Sequence, residues 1–209
     1  MRLLIVAATG KEIEPFVNSF PTADILITGV GVPATIYSLQ KKIHQYQFDH
    51  IIQAGIAGCF VGDFLPGQVV FVNQDRFADL GMEEEGRFST IFEMGFGSEN
   101  ESPFNKGWLL NNDPYLLKSS LPKVKALTVN KVTDDPAQTR QLINKFDPQV
   151  ETMEGAAFHY VCLQEKIPFL QIRGISNYVG ERDRKKWKIP EAIERLNVEL
   201  GILVDQLMS

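Results

Sequence analysis

Two segments decide the fold of this chain: Val150-Glu151-Thr152-Met153-Glu154-Gly155-Ala156-Ala157 and Arg173-Gly174-Ile175-Ser176-Asn177. The first predicts a buried strand that ends in a carboxylate and leads into a helix. The second predicts another buried strand, which ends in arginine, serine and asparagine. Ligands of open α/β sheets bind beyond the carboxyl ends of the strands. We therefore expect both polar clusters at one candidate site.

Apolar runs alternate with amphipathic segments along almost the whole chain. The apolar runs are rich in Val, Ile and Leu and lack polar alternation, which is typical of strands in a sheet covered on both faces. The order of elements predicts one α/β domain over residues 1–209. The predicted strands are Leu3–Ala8, Asp24–Gly29, His50–Ala54, Gln68–Asp75, Val124–Val129, Val150–Met153 and Phe169–Ser176. The predicted helices are Glu12–Phe20, Pro33–Tyr46, Pro114–Ser120, Pro136–Phe146, Gly155–Glu165 and Pro190–Met208.

One long segment, residues 76–112, breaks this pattern. It is rich in Gly, Phe, Glu and Asn and shows no helical period. Long irregular connections in compact domains are usually functional or flexible. We therefore expect this segment to be an irregular connection.

Composition restricts the classes of partner. The 209 residues are 44% hydrophobic and 22% charged, which is usual for a soluble globular domain. A net charge of -5 argues against nucleic acid, because binding phosphates requires a basic face. We expect the one basic cluster, residues 182–186, to lie at the solvated surface. No apolar run approaches the ~20 residues that span a bilayer, so no membrane association is predicted.

The N-terminus and the two cysteines indicate a cytoplasmic protein. The first residues lack a cleavage-like region and predict a core strand rather than a signal peptide. Cys59 and Cys162 lie in apolar stretches without the CxxC or Cys/His spacing of a metal site. We expect both to be small buried thiols in a reducing compartment.

The segment Gly29-Val30-Gly31-Val32-Pro33-Ala34 matches the G-x-G-x-x-A fingerprint of dinucleotide-binding proteins. That function also requires an acid at the end of the next strand, to hold a ribose hydroxyl. The segment at that place, Gly55-Ile56-Ala57-Gly58, has no acid, and Asp49 lies at the opposite edge. We therefore predict no NAD or FAD. The glycines are expected to form a tight strand-to-helix turn whose N–H groups approach a sugar or an anion.

Three polar residues follow predicted strands: Glu12, Glu154 and Asn177. Each of them could have a purely structural role instead of a role in the site. Glu12 and Glu154 stand near the start of a helix, where an acid interacts favourably with the helix dipole. Asn177 can simply end a strand in a turn. Glu14 is a natural control for a purely capping role of Glu12. Taken singly, these residues leave the structural alternatives open.

Six segments in order carry a resemblance to a known family: Leu4–Ala8 running into Glu12, Thr28–Gly31, Gly55–Gly58, Gly67–Val70, Met153-Glu154 and Arg173–Asn177. Over nearly the whole chain it resembles the nucleoside phosphorylases and nucleosidases, especially methylthioadenosine/S-adenosylhomocysteine nucleosidases and futalosine hydrolases. The resemblance implies a three-layer α/β/α fold with a central mixed, mostly parallel, partly barrel-like sheet. It also implies a homodimer that uses a nucleoside and water, without a metal or an organic cofactor.

The resemblance implies a role for each site residue. Glu12 would deprotonate the attacking water with help from Arg173. Glu154 would accept a hydrogen bond from a ribose hydroxyl, which strengthens as the sugar becomes oxocarbenium-like, and Met153 would pack against the sugar. Further substrate contacts are expected at Ile56, Ala57, Val132, Thr133 and Ser176.

Two of these positions depart from the adenine-cleaving relatives. Ile56 stands where they have a serine, so one polar contact is absent or replaced. Val132 stands where they have the phenylalanine that stacks on the base. We therefore expect either weaker stacking on the purine or stacking by another aromatic residue, for which the 76–112 segment is a candidate source.

Asn177 stands where the adenine-cleaving relatives have an aspartic acid. An amide donates from its NH₂ to a 6-oxo group while its carbonyl accepts from a protonated N7. That pairing selects hypoxanthine or guanine, and wrong pairing in a closed site is costly. Residues 177–187 and 77–81 resemble the futalosine hydrolases, whose substrate is a hypoxanthine nucleoside with an aromatic 5′ extension. Basic residues of the first segment would then meet the substrate carboxylate.

Three alternatives remain open. One is an adenine-directed nucleosidase. Another is a purine nucleoside phosphorylase, although Thr9-Gly10-Lys11-Glu12 lacks the arginine that the phosphorylases place there and offers only Lys11. The third is a non-catalytic nucleoside-binding protein, which predicts the loss of a site acid, whereas Glu12 and Glu154 are both present.

Overall fold

The computed structural model describes residues 1–60, 62 and 64–209. Its strands are β1 Leu3–Ala7, β2 Asp24–Ile27, β3 His50–Cys59, β4 Val69–Phe77, β5 Gly81–Glu84, β6 Arg87–Thr90, β7 Phe104–Asn105, β8 Trp108–Leu110, β9 Lys123–Thr128, β10 Val150–Thr152 and β11 Phe169–Tyr178. Its α-helices are α1 Gly10–Ser19, α2 Val32–Gln45, α3 Tyr115–Lys118, α4 Pro136–Phe146, α5 Gly155–Gln164 and α6 Ile189–Met208, and Arg184–Lys186 form a 3-10 helix.

The central sheet is mixed and partly closed into a barrel. Strand β11 pairs in parallel with β3 and antiparallel with β4, while β9 pairs in parallel with both β4 and β10. The ring closes because β10 pairs antiparallel with the end of β3, at Gly58 and Cys59. The first half of β3 instead pairs with β1, which extends the sheet to β2. Strand β3 is therefore long enough to pair with β1 through its first half and with β10 through its last two residues.

Apolar side chains cover the sheet on both faces, which gives the three layers. Alternate residues of β1 point to opposite sides: Ile5 and Ala7 pack with α1 and α6, whereas Leu4 and Val6 pack with α2 and α5. All five ring strands contribute to a further apolar cluster, which includes Val150 and Ile175. The predicted layered fold with a partly barrel-like sheet is confirmed.

The prediction of an irregular connection over residues 76–112 is wrong. Two hairpins lie within it, β5–β6 and β7–β8, each closed by a two-residue turn. Their turns are Glu85-Gly86 and Lys106-Gly107, and all four residues have positive φ near 50° or 74°. Two consecutive residues of positive φ match the twist of flanking antiparallel strands. The two X-Gly pairs were the hairpin signals that the sequence analysis missed.

Two other expectations from the sequence can be compared with the fold. Both cysteines are buried, as predicted. Within the described residues, no helix combines the length and apolar character needed to cross a membrane.

Candidate active site

A cavity of about 480 Å³ opens where β3, β10 and β11 end beside the start of α1. It contains every predicted site residue except Arg173, which is buried behind its wall. The predicted residues in the lining are Glu12, Ile56, Ala57, Val132, Thr133, Met153, Glu154, Ser176 and Asn177. Glu12, Glu154, Ser176 and Asn177, which were expected beyond strand ends, thus lie around one cavity together with the positions that the family resemblance implied.

Glu12 is a buried residue in the first turn of α1. Its Oε2 accepts hydrogen bonds from the backbone N–H of Thr9 (2.9 Å) and from the Thr9 hydroxyl (3.0 Å). Its Oε1 accepts from the backbone N–H of Ile56, at 3.1 Å. The capping interpretation of Glu12 is thus correct and does not conflict with a place in the cavity. The same bonds hold the carboxylate in one orientation.

Glu154 is the N-cap residue of α5 and is also buried. Its Oε1 accepts from the backbone N–H of Gly31 at 2.9 Å. Gly29 and Gly31 have φ values of 86° and 93°, which glycine adopts at little cost. The predicted glycine turn therefore does expose an N–H group to an anion, and that anion is the carboxylate of Glu154.

The Arg173 guanidinium lies near both carboxylates. Its Nη1 is 4.0 Å from Glu154 Oε2, and its Nη2 donates to Gln53 Oε1 at 2.7 Å. A Cβ on Gly55 would lie 2.5 Å from Arg173 Nη1 and 2.9 Å from Glu12 Oε1. Glycine at this position therefore leaves room for the guanidinium and the Glu12 carboxylate to approach each other.

Asn177 faces the cavity because β11 is irregular at this point. The pairing of β11 with β3 shifts between Ile175 and Asn177, as in a β-bulge, which redirects the following side chain. The Ser176 hydroxyl donates to Asn177 Oδ1 at 2.7 Å, and Asn177 Nδ2 donates to the carbonyl of Tyr178 at 2.9 Å. The amide is thus oriented by its chain neighbours.

Two residues that were not predicted as site residues, Glu151 and Trp187, also line the cavity. Glu151 is buried, and burial raises the pKa of its carboxyl to about 7. Strand alternation, which places Glu151 on the same face as Met153, was a signal for it. Trp187 is held by a hydrogen bond from its Nε1 to the Glu181 carbonyl, at 2.9 Å.

The aromatic residue expected from the 76–112 segment is not part of the cavity wall that this chain forms. No residue of that segment belongs to the described lining, in which Trp187 is the aromatic side chain. Within the segment, β8 pairs with the edge of β4, whereas β5 and β6 form a separate two-stranded sheet.

The basic cluster 182–186 divides into two parts. Arg182 lines the cavity, donates to the Val132 carbonyl at 3.1 Å and lies 3.8 Å from Asp134. Arg184 and Lys185 are exposed, as predicted for a solvated surface. Lys186 is also exposed and forms an ion pair with Glu181, at 2.7 Å. Arg182 therefore joins the loops on two sides of the cavity mouth.

Asp79, in one of the segments with a family resemblance, fixes the loop that carries Val132 and Thr133. Its carboxylate accepts from the backbone N–H of Asn130 at 2.6 Å and from the Asn130 side chain at 3.0 Å.

Across the described part of the chain, no group of three His, Cys, Asp or Glu residues is arranged to hold a metal ion.

Comparison with known proteins shows which proteins this chain is similar to. A model of the phosphorylase superfamily matches residues 22–208. Futalosine hydrolase of Streptomyces coelicolor is 26% identical over 238 aligned positions, which cover 100% of this chain and 97% of that protein. 5'-Methylthioadenosine/S-adenosylhomocysteine nucleosidase of Shewanella loihica is 28% identical and covers 74% of this chain and 68% of its own length. The solved structure of Helicobacter pylori futalosine hydrolase has the same fold, with a TM-score of 0.81 at 15% identity over 99% of this chain and 98% of its own.

Proposed function

Since this chain belongs to the phosphorylase superfamily, we propose that it is a nucleoside N-ribosyl hydrolase that cleaves futalosine. The products are hypoxanthine and dehypoxanthine futalosine, and the reaction belongs to menaquinone biosynthesis. Curated futalosine hydrolases from three species, 26–29% identical to this chain, support this substrate. The observation that carries the proposal is the convergence of Glu12, Glu154 and Asn177 on one cavity of nucleoside size.

The proposed reaction breaks the bond between C1′ of the ribose and N9 of the base. Glu12 takes a proton from a water molecule, whose oxygen then bonds to C1′. Glu154 accepts a hydrogen bond from a ribose hydroxyl, and this bond strengthens as positive charge develops on the sugar. Arg173, buried beside both acids, partly balances their negative charge. The electrons of the broken bond go to the base, which takes a proton from solvent at N7 and leaves as neutral hypoxanthine while Asn177 donates to its 6-oxo group. Glu12 then returns its proton to solvent.

Hydrolysis is favoured over phosphorolysis by the charge at the nucleophile position. The buried carboxylate of Glu12 would repel a phosphate dianion but accepts a proton from water. Lys11 also lines the cavity, but its side chain is exposed to solvent. An exposed ammonium contributes little to holding phosphate against a buried acid.

The second candidate function is that of a methylthioadenosine/S-adenosylhomocysteine nucleosidase, which relatives of similar identity carry by name. Asn177 disfavours it, because an amide does not supply the proton that an aspartic acid gives to purine N7. Futalosine therefore remains the preferred substrate.

The role of Glu12 is tested by Glu12→Gln. We expect hydrolysis to fall by at least about 100-fold, because loss of a general base costs 10²–10⁴-fold in rate. Glu14→Gln is the matched control, since Glu14 is exposed two residues away on the same helix. Near-normal hypoxanthine release by Glu12→Gln would contradict water activation by this residue.

The substrate is tested by a coupled hypoxanthine-release assay with futalosine and inosine, run beside an adenine-release assay with methylthioadenosine. Each is measured with and without phosphate. We expect turnover of futalosine that does not depend on phosphate, and lower activity of Asn177→Asp on this 6-oxopurine nucleoside. Dependence on phosphate would indicate a phosphorylase. Binding of futalosine without release of base would indicate a non-catalytic nucleoside-binding protein.

The assembly and the location of the protein are also proposed. We propose that the protein is a homodimer, as the resemblance to the nucleosidases implies. We also propose that it is cytoplasmic, because two buried cysteines suit a reducing compartment. Sedimentation equilibrium at micromolar concentration tests the first point, and a mass near that of a single chain would contradict it.

A further inference from the structure

Arg173 is almost wholly buried, with 1% of the residue exposed, so hydrogen bonds have to fix the orientation of its guanidinium. Its Nη1 lies 4.0 Å from Glu154 Oε2, which is beyond hydrogen-bond distance. A guanidinium has five N–H donors in one plane, and buried donors are almost always paired. The groups that do bond to Arg173 therefore decide where its charge lies relative to the site.

Strand register places two carboxamides beside Arg173. Gln171 lies opposite Gln53 in the parallel pairing of β11 with β3, and Arg173 lies opposite Gly55. Residues two apart on a strand, and register partners on adjacent strands, project to the same face. Both glutamines are buried, and Gln53 Oε1 accepts from Arg173 Nη2 at 2.7 Å. Gln171 is thus the second amide within reach of the guanidinium.

His159, on α5, decides which way the amide of Gln171 faces. Its Nδ1 is 3.0 Å from the carbonyl oxygen of Leu109, on β8, and a carbonyl only accepts, so Nδ1 carries the hydrogen. His159 has no exposed surface, and burial lowers the pKa of its imidazole to about 4, so the ring is neutral at physiological pH. Its Nε2 therefore presents a lone pair, which requires the NH₂ group of Gln171 opposite it.

In this orientation Gln171 satisfies the groups on both of its sides. Its amide nitrogen donates to His159 Nε2 at 2.7 Å, and its oxygen accepts from Arg173 Nε at 3.0 Å and from Arg173 Nη2 at 3.2 Å. The opposite orientation would offer the nitrogen to Asp75, but it would set the nitrogen against the guanidinium and the oxygen against the imidazole lone pair. Hydrogen bonds thus connect the Leu109 carbonyl to Arg173, and Arg173 Nη1 remains directed toward the two site acids.

We propose that His159 and Gln171 are positioning residues, which hold the Arg173 guanidinium with its Nη1 toward Glu12 and Glu154. This inference deepens the proposed function and rests on it wherever turnover is the readout. Gln53 and Gln171 are neutral, so they orient the guanidinium without cancelling its positive charge, which remains available to the two acids. The β7–β8 hairpin, whose residues do not belong to the described cavity lining, contributes to the site in this way through the Leu109 carbonyl.

Gln171→Met tests the contact with Arg173, because methionine is of similar size but has no oxygen to accept from the guanidinium. We expect kcat on futalosine to fall about 10–100-fold while KM changes little, which is the scale of a small displacement in an active site. Val161→Ala, a buried change on the helix that carries His159, is the control for lost stability and should leave kcat unchanged. Lower stability of Gln171→Met with unchanged kcat would overturn the positioning role.

A double-mutant cycle separates action through Arg173 from a direct effect of His159. His159→Phe should lower kcat, whereas the same change at the exposed His44 should not. In an Arg173→Met background, His159→Phe should cause no further fall in kcat, because the residue through which it acts is gone. Equal falls in kcat in the two backgrounds would show that His159 does not act through Arg173.

A spectroscopic measurement tests the same connection without turnover. In protein with isotope-labelled arginine, the NMR signal of the Arg173 Nε–H is identified by its absence from Arg173→Met. This signal should shift in Gln171→Met and also in His159→Phe, although His159 does not bond to Arg173, and it should not shift in His44→Phe. An unchanged signal in His159→Phe would overturn the positioning role. Absence of futalosine hydrolysis by the wild-type enzyme would overturn the proposed function instead, and the NMR result would still decide the role of His159 and Gln171.

Discussion

Asp75 is an acid buried behind the site, with no exposed surface. Its Oδ1 accepts from the backbone N–H of Arg76 at 2.8 Å and from the Thr128 hydroxyl at 2.9 Å. Burial nevertheless raises its pKa to about 7, and the hydrogen bond from Thr128 and the charge of Arg173 only partly offset this effect. His159 is also fully buried, and burial lowers the pKa of its imidazole to about 4. Between about pH 4 and pH 7 the side chains of Asp75 and His159 are therefore both largely uncharged, and Arg173 is the buried charge beside them.

The raised pKa of Asp75 predicts a dependence of stability on pH. Between about pH 4 and pH 7 the folded protein retains a proton that the unfolded chain has already lost. The free energy of unfolding therefore falls as pH rises through this window, by an amount on the order of 3 kcal/mol. Asp75→Asn removes this contribution, so the variant should gain stability relative to wild type from pH 5 to pH 8. Urea unfolding of both proteins at pH 5 and pH 8 measures this gain in stability. If the free energy of unfolding changed equally with pH in both proteins, the prediction would be contradicted.

The start of α5 shows how one element depends on the absence of a side chain. Gly155 is its first residue, and a Cβ there would lie 2.1 Å from Asp75 Oδ2 and 2.4 Å from Gln171 Nε2. Both of those side chains are fully buried. The helix therefore approaches β4 and β11 as closely as it does only because this residue is glycine.

Gly155→Ala is expected to destabilise the protein by about 1–3 kcal/mol, the usual cost of overpacking a core. The matched control is Gly10→Ala, at the first position of α1, where nothing lies within 4 Å of the added Cβ. That change should be neutral or slightly stabilising, because alanine is the better helix former. Chemical denaturation of both variants is the measurement. Equal stability of the two would argue against the close approach of α5.

At the scale of the whole molecule, the last helix holds the first one in place. Asn197 on α6 accepts from the backbone N–H of Phe16 at 3.0 Å and donates to the backbone carbonyl of Glu12 at 2.8 Å. Pro15 lies inside α1, where it cannot donate to the helix ladder. One side-chain amide thus pairs two backbone groups in the turn around this proline. The backbone position of Glu12 therefore depends on a residue near the other end of the chain.

Asn197→Leu is expected to lower the free energy of unfolding by about 2–5 kcal/mol, since two buried backbone groups lose their partner. We also expect kcat to fall, because the backbone of Glu12 is released. Asn18→Ala, at an exposed position of α1, serves as the control and should change neither quantity. Unfolding curves and steady-state kinetics are compared for the two variants. A loss of stability with unchanged kcat would restrict Asn197 to a structural role.

Outside residues 76–112, the order of strands and helices was determined by the sequence alone, and so were the polar residues Glu12, Glu154 and Asn177 that follow strands. These follow from local properties: apolar runs form strands, and parallel strands bring their carboxyl ends to one edge. Glu12, Glu154 and Asn177 were predictable for this reason. The hairpin turns of residues 76–112 were also encoded locally, in two X-Gly pairs, although the analysis did not use them.

Only the tertiary structure decided the closure of the barrel, the position of Arg173 behind the cavity, and the place of Glu151 across Gly58 from Asn177. Each depends on strand register, and the pairing that β3 makes with both β1 and β10 is set by the packing of the whole sheet. The same holds for Trp187 and Asn197, which reach the site region from distant parts of the chain. The pairing of strands distant in sequence depends on the total free energy of burial and hydrogen bonding. A local sequence pattern does not specify that total.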